Sequence, residues 1–260
     1  MRSSVPLYDA LAVDYDDHFT VPHRRAYDDL AWDQVLERLG APVPGRPVVD
    51  AGCGVGRWAE RLVGLGHEVI GVEQAPSMAR AARERGLGVR FTVIEGPMQD
   101  ERLPAGRAAA VLAMGSLQYT PEPAAVIARF REWTAPGGLV GVLVDGLVSL
   151  VVELVRSGRI DEAEQRRCSR TGVWSTNGCA ADMHLFDAAT LARAMSDAGL
   201  VDVTVSGLLC GWTVLGRDAF LDGLDRDRDG ALAREADWAR DPAMADTGKQ
   251  LLAFGRAPLG

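Results

Sequence analysis

In the run Val48-Val49-Asp50-Ala51-Gly52-Cys53-Gly54-Val55-Gly56-Arg57-Trp58, an acid is followed by glycine at every second position. Glycine lets a backbone turn sharply and come close to a ligand, so this loop is a candidate cofactor site. A dinucleotide loop wants G-x-G-x-x-G, with a pyrophosphate at the N-terminus of the next helix. The spacing here is G-x-G-x-G, and Arg57 stands where the third dinucleotide glycine belongs. Asp50 precedes the first glycine by two residues. A carboxylate there repels phosphate and suits a cationic ligand, such as one carrying an amino group and a sulfonium. Glu73 lies 21 residues after Gly52, where a carboxylate can accept both hydroxyls of a ribose. Nucleoside cofactors with and without pyrophosphate share that contact, so Glu73 alone does not separate them.

Groups for acid-base work are sparse. Of four histidines, His67 reads as a structural residue in a turn. His18 and His23 lie in the N-terminal segment, and His184 sits where an inserted segment rejoins the alternating pattern. Each of these three is a candidate general base, and Tyr119 is a further candidate to face a substrate. Cys53 reads as a small loop residue, since nothing near it in sequence would lower its pKa. The run from Asp225 to Glu235 imitates a calcium loop, but Ala236 stands at its twelfth position where a bidentate glutamate is required. It is expected to be a solvated acidic turn, and no metal is expected.

These residues need a scaffold that brings strand ends together. Strand-like runs at Val48–Asp50, Glu68–Glu73, Gly88–Glu95, Ala108–Gly115 and Gly138–Asp145 alternate with helix-like segments at Gly56–Leu65, Pro76–Arg85 and Pro121–Thr134. The run "TAPGG", Thr134 to Gly138, is expected to end the third helix and turn into the next strand. Such alternation predicts an α/β fold with a parallel sheet covered on both faces. Leu147–Val155 reads as a helix, and residues 157–183 as polar and irregular. A helix at Asp187–Ala198 and strands at Val201–Ser206 and Gln250–Phe254 follow.

The chain of 260 residues is 47% hydrophobic, enough for one full core. Its formal charge of −8 disfavours nucleic acid and anionic lipid as partners. Four scattered cysteines without a CxxC pair fit a reducing, cytoplasmic setting. The N-terminus lacks the apolar core of a signal peptide, and Leu139–Val155 is too short and too charged to span a bilayer.

Taken together, "VVDAGCGVGRW", "VIGVEQAPSMARAARERG", "VIEGPMQDERLP", "VLAMGSLQYTPEP" and "APGGLVGVLV" resemble, in order and spacing, the class I S-adenosylmethionine-dependent methyltransferases. "HLFDAATLARAMSDAGLVDVTVSGL" extends the likeness to about residue 208. The resemblance implies a Rossmann-like, doubly wound, seven-stranded and mostly parallel sheet whose last strand is antiparallel. Residues 1–40 would form a helical lid, 45–145 the cofactor-binding core, 146–185 an inserted cap and 186–260 the C-terminal part of one domain.

By the same resemblance, Asp50, Gly52 and Gly54 would line the methionine part of S-adenosylmethionine. Glu73 would hold the ribose, with Gln74 and Met78 beside ribose and adenine. Pro97 and Met98 would flank adenine where relatives carry an acid and a small residue, and Asp100 would replace the missing acid. Ala113 would offer its carbonyl to the cofactor's amino group, and Tyr15 of the lid would close on the cofactor. Ala108-Ala109 replaces the family's usual Phe-Asp. The expected activity is O- or N-methylation of a small, partly apolar secondary metabolite, with C- and S-methylation open. Trp174, Trp212 and Leu147–Val155 would line its pocket, His184 or Tyr119 would orient or deprotonate it, and His18 and His23 stand in reserve. A binding protein without turnover and a nicotinamide-dependent oxidoreductase are the rival readings. The sequence leaves the acceptor and the oligomeric state open.

Overall fold

The computed structural model describes residues 1–101 and 103–259. Two helices begin the chain, α1 (Val5–Leu11) and α2 (Pro22–Arg38), with a 3-10 turn at Asp16–Thr20 between them. The alternating unit follows as β1 (Val48–Ala51), α3 (Arg57–Gly64), β2 (Val69–Glu73), α4 (Pro76–Glu84), β3 (Phe91–Glu95), β4 (Ala108–Met114), α5 (Pro123–Trp133) and β5 (Thr134–Asp145). Next come α6 (Leu147–Arg156), α7 (Ile160–Ser169), β6 (Thr171–Thr176), β7 (Cys179–His184), α8 (Ala188–Asp197) and β8 (Val201–Leu208). The remainder is α9 (Cys210–Leu215), α10 (Arg217–Arg226), α11 (Arg228–Trp238) and β9 (Gln250–Arg256).

Seven strands pair in the order β3-β2-β1-β4-β5-β9-β8. Strands β1 to β5 pair in parallel, and β9 runs antiparallel to both of its neighbours. The chain leaves β1 toward β2 and later returns to its other side as β4. That reversal opens a crevice beyond the C-terminal ends of β1 and β4, where open sheets of this kind bind ligands.

Alternation along the strands builds two cores. Ala110 and Leu112 of β4 face α2 and α3 side chains such as Leu30, Trp58 and Leu62. Val111 and Ala113 face Ile127, Phe130, Leu191 and Met195 of α5 and α8. Burial on both faces is what the near-continuous apolar run "VLAM" requires. A third cluster joins Leu7 and Leu11 of α1 to Val55, Met78 and Ala181, so α1 and β7 pack over the strand ends. Seven residues cannot hold a helix unaided; burial of Leu7 and Leu11, worth ~1.5–3 kcal/mol each, holds α1 in place.

Several sequence expectations are corrected here. Residues 157–183 are not irregular: they form α7 and an antiparallel hairpin, with Thr171 opposite His184. "TAPGG" lies inside β5 as a local irregularity, because Thr134 already pairs with Ala108. Residues 88–90 form a 3-10 turn rather than the start of β3. The acidic run from Asp225 is a helix junction in which the Asp227 carboxylate accepts the Gly230 amide at 3.0 Å and caps α11. Helices α9 to α11 were not expected. The six residues of α9 before Gly216 are too few to show a period, and closely spaced charges mask the pattern of α10 and α11.

Candidate functional site

The glycine loop is pinned to the sheet by amides of Gly52 and Cys53, which donate to the Val72 carbonyl at 2.7 and 3.1 Å. Gly52 has φ +80°, and a Cβ there would lie 2.3 Å from the Ser116 Cβ. Only glycine fits. The Ser116 hydroxyl donates to the Ala51 carbonyl at 2.5 Å, which holds the β4 end against the β1 end.

Glu73 closes β2 and turns its carboxylate back on the loop. One oxygen accepts the Gly54 amide at 2.9 Å and the other the Ala75 amide at 2.7 Å. Burial still lifts its pKa, against these amides. Asp50 is 2% exposed, and its Oδ2 has no hydrogen-bond partner. Burial, then the Glu73 charge, push its pKa up to about 7. A buried carboxylate with an orphan oxygen is complementary to a cation that the protein itself does not supply.

Two cavities meet at this loop. A narrow cleft of about 50 Å³ runs past Glu73, Gln74, Gly96, Met98, Gln99 and Ser116, and Ser4 and Tyr8 of the α1 region cover it. A chamber of about 510 Å³ opens beside it, with Asp50 and Cys53 at one end and Trp212 and Lys249 in its wall. Tyr8, Tyr15, Gly52, Gly54 and Tyr119 line both. The Tyr8 and Tyr119 rings meet edge-on, with centroids 5.5 Å apart. Burial raises the pKa of Tyr8 and Tyr119 and lifts Tyr15 to about 12. All three phenols therefore stay protonated at neutral pH, as donors.

The sequence-predicted residues distribute unevenly. Tyr15, Asp50, Gly52, Gly54, Glu73, Gln74, Met98 and Tyr119 line one or both cavities. Met78 does not: it is fully buried in the cluster beneath Leu7 and Leu11. Pro97 is not part of the cleft wall, and Gln99 rather than the exposed Asp100 faces the cleft. The Ala113 side chain faces the α5 core, and the wall at the β4 end belongs to Met114 and Gly115.

Among the histidines, His23 lines the chamber, its ring 5.0 Å from that of Trp212. Its Nδ1 is buried without a partner, and burial together with Arg24, Lys249 and Arg217 lowers its pKa to about 4. His18 lies outside the chamber wall, with its Nδ1 2.5 Å from Arg24. His184 lies outside as well, although its neighbour Met183 and Trp174 on the paired strand face in. A hairpin alternates its faces, which puts residues 183 and 184 on opposite sides.

Sequence reasoning missed Asp145, Gln118, Arg24 and Lys249. Asp145 ends β5 and accepts the Gln118 side-chain amide at 3.0 Å, and burial raises its pKa. Lys249 immediately precedes β9 and is the only lysine in the chain, the signal that could have found it. Among the described residues, no group of three or more His, Cys, Asp and Glu side chains gathers as a metal site. No described helix is long and apolar enough to cross a membrane.

A seven-stranded sheet of this order, with an acid and a glycine loop at β1 and a ribose-type acid ending β2, defines a nucleoside-cofactor fold of the methyltransferase kind. Residues 48–138 match the methyltransferase domain family model. The chain is 33% identical over 104 residues to a ubiquinone biosynthesis O-methyltransferase of Thiobacillus denitrificans, covering 38% of this chain and 44% of that protein. It is 36% identical over 143 residues to the nocamycin O-methyltransferase of Saccharothrix syringae, covering 52% and 46% respectively. The chain thus spans about half the length of the curated relatives it matches. A chain from the complex between the Haloferax volcanii Trm112 methyltransferase activator and a methyltransferase shares the fold, with TM-score 0.64, 20% identity and 99% of each chain covered. These likenesses support a class I S-adenosylmethionine-dependent methyltransferase. S-adenosylmethionine is the cofactor of that family, and the orphan Asp50 carboxylate and the Glu73 acceptor fit its ammonium and its ribose.

Proposed function

We propose that this chain transfers a methyl group from S-adenosylmethionine to an oxygen or nitrogen of a small-molecule acceptor bound in the chamber. One observation carries the reading: the cofactor cleft and the chamber meet at Tyr15, Gly52, Gly54 and Tyr119, so a donor in one can face an acceptor in the other. When bound, S-adenosylmethionine supplies an already activated methyl group on a sulfonium. The protein's part is alignment, worth up to ~7–11 kcal/mol, and exclusion of water. Asp50 and Glu73 fix the cofactor at its two polar ends. Tyr8, Tyr15 and Tyr119 present phenol donors and ring faces at the junction. His23, in the chamber wall, accepts the proton of an acceptor hydroxyl; its pKa of about 4 makes it a weak base, at the low end of the ~10²–10⁴-fold range. This role moves to His23 because His184 lies outside the chamber wall and the Tyr119 phenol, its pKa raised by burial, stays protonated.

A cleft of about 50 Å³ is far below the roughly 300 Å³ of a small-molecule site. In the proposed cycle α1 acts as a lid that withdraws to admit the nucleoside. Arg2 straps it to the hairpin, its guanidinium donating to Asp182 at 2.7 and 2.9 Å. The hairpin and α6 form the cap, and the whole chain works as one domain. A secondary metabolite in the cytoplasm, methylated without a metal, is the acceptor class we favour, in keeping with four free cysteines and with the nocamycin enzyme. The test is a screen of aromatic hydroxy and amino acceptors, reading S-adenosylhomocysteine formation with EDTA present. Product formation supports the reading. Tight cofactor binding with no product across the screen favours a binding protein instead.

A further inference from the structure

We infer that the acceptor carries an anionic group, a carboxylate or phosphate, held by Arg24, Arg217 and Lys249 beside Trp212, away from the cofactor cleft. The inference rests on the methyltransferase reading above and specifies its substrate. Trp212 is the centre of the arrangement. The Lys249 ammonium lies 4.7 Å and the Arg217 guanidinium 5.7 Å from its ring centroid, and the His23 ring lies 5.0 Å away. Arg24 follows His23 in the chain and lines the same chamber.

The cations there are not ion-paired. Among the described residues, none of the three cations makes a salt bridge, whereas Arg57 in the same wall is bonded to Asp28 at 2.8 Å. The chamber's carboxylates have other partners. Asp28 is taken by Arg57 and Arg61, and Glu153 accepts the Trp212 indole N–H at 3.2 Å. Asp145 accepts from Gln118, and burial raises its pKa against the opposing charge of Lys249. Asp50 sits at the glycine-loop end. Arg24 already meets His18 Nδ1 at 2.5 Å, whereas the Arg217 and Lys249 charges both lie over Trp212; a bound oxyanion offsets their mutual repulsion while gaining charge-assisted hydrogen bonds.

Position separates this charge from the cofactor cleft. Arg24, Arg217, Lys249 and Trp212 line the chamber but not the cofactor cleft, while the junction residues line both. The anion is therefore the anchor and a different atom receives the methyl group. The same three cations depress the basicity of His23, so an anchored anion would restore it when the acceptor arrives.

Three probes test this on the whole protein saturated with S-adenosylhomocysteine: phenylacetate, phenyl phosphate and neutral phenylacetamide, titrated by tryptophan fluorescence. At least one anion should bind about tenfold or more tightly than the amide, and the tighter of the two names the group. That preference should shrink on raising salt from about 50 to about 500 mM, and fall below about threefold in the Lys249→Met/Arg217→Gln double variant. Equal or absent binding of the anions, or an undiminished preference in the double variant, overturns the inference. S-adenosylhomocysteine is titrated into wild type and variant alongside. Unchanged affinity shows that the variant is folded, so a lost preference then reports the cations. If the wild type fails to bind it, the methyltransferase reading itself falls, and this inference with it.

Discussion

The Glu73 carboxylate accepts the backbone amide of Gly54 at 2.9 Å, tying the end of β2 to the middle of the glycine loop. Its other oxygen accepts the Ala75 amide at the start of α4. A residue expected to serve only the ribose thus also shapes the loop proposed to receive the methionine portion. Each carboxylate oxygen retains a lone pair for a ribose hydroxyl.

Replacing Glu73 by Ala should therefore weaken S-adenosylhomocysteine by ~1–3 kcal/mol, the cost of leaving buried donors unpaired. Glu73→Gln should fall between, since its one carbonyl can satisfy one amide. Calorimetric affinities that match wild type in both variants would remove Glu73 from the cofactor site.

The Gly52 position is closed to any side chain. Gly52→Ala places a Cβ 2.3 Å from the Ser116 Cβ at φ +80°, so either the loop or β4 must shift. Loss of S-adenosylhomocysteine affinity by at least tenfold, with a lowered Tm, is expected. Gly64→Ala, in α3 where nothing lies within 4 Å, should be neutral or stabilising by up to ~1 kcal/mol. Equal melting behaviour of the two variants would contradict the packing at Gly52.

Asp50 gives the site a pH dependence. Its folded pKa of about 7 lies above the ordinary carboxylate range, so ionising it costs stability as pH rises from about 4 to about 7. His23 acts in the opposite sense. Its pKa of about 4 means that stability is lost as pH falls below about 6.5. Cofactor affinity isolates Asp50, because an ammonium favours the ionised carboxylate. S-adenosylhomocysteine should bind several-fold more tightly at pH 8 than at pH 6, with proton release at the lower pH. Asp50→Asn should bind weakly with no such dependence; an identical slope in the variant would assign the effect elsewhere.

The histidines make a fourth test. His23→Ala should lower kcat by ~10²-fold or more while leaving S-adenosylhomocysteine affinity nearly unchanged. His184→Ala should leave kcat within about twofold, because its side chain lies outside the chamber wall. Tyr119→Phe removes a donor but keeps the ring, and should cost less than His23→Ala. The reverse ranking of His23 and His184 would restore the hairpin histidine as the base.

What the sequence made legible follows physical scale. The glycine loop, Glu73 and the strand-helix rhythm are local patterns, and each is found where its spacing puts it. Asp187 caps α8 by accepting the Thr190 amide at 2.7 Å, as the run "FDAAT" suggests. The chamber was less legible because its wall is assembled from residues far apart in the chain, such as His23, Asp145, Trp212 and Lys249. No spacing rule links them; only the antiparallel entry of β9 brings Lys249 beside the end of β5, where Asp145 pairs with Gln250. Met78 shows the opposite error. Its helix was placed correctly, but the helix turns that side chain into the core beneath α1.

The most direct test of the account is a calorimetric titration of the wild-type protein at pH 8 with S-adenosylhomocysteine, and separately with NAD. The orphan Asp50 carboxylate and the Glu73–Gly54 link predict one site with a dissociation constant on the order of micromolar for S-adenosylhomocysteine, and no measurable binding of NAD. Preferential binding of NAD, or no heat with either ligand, would contradict the assignment of this cleft.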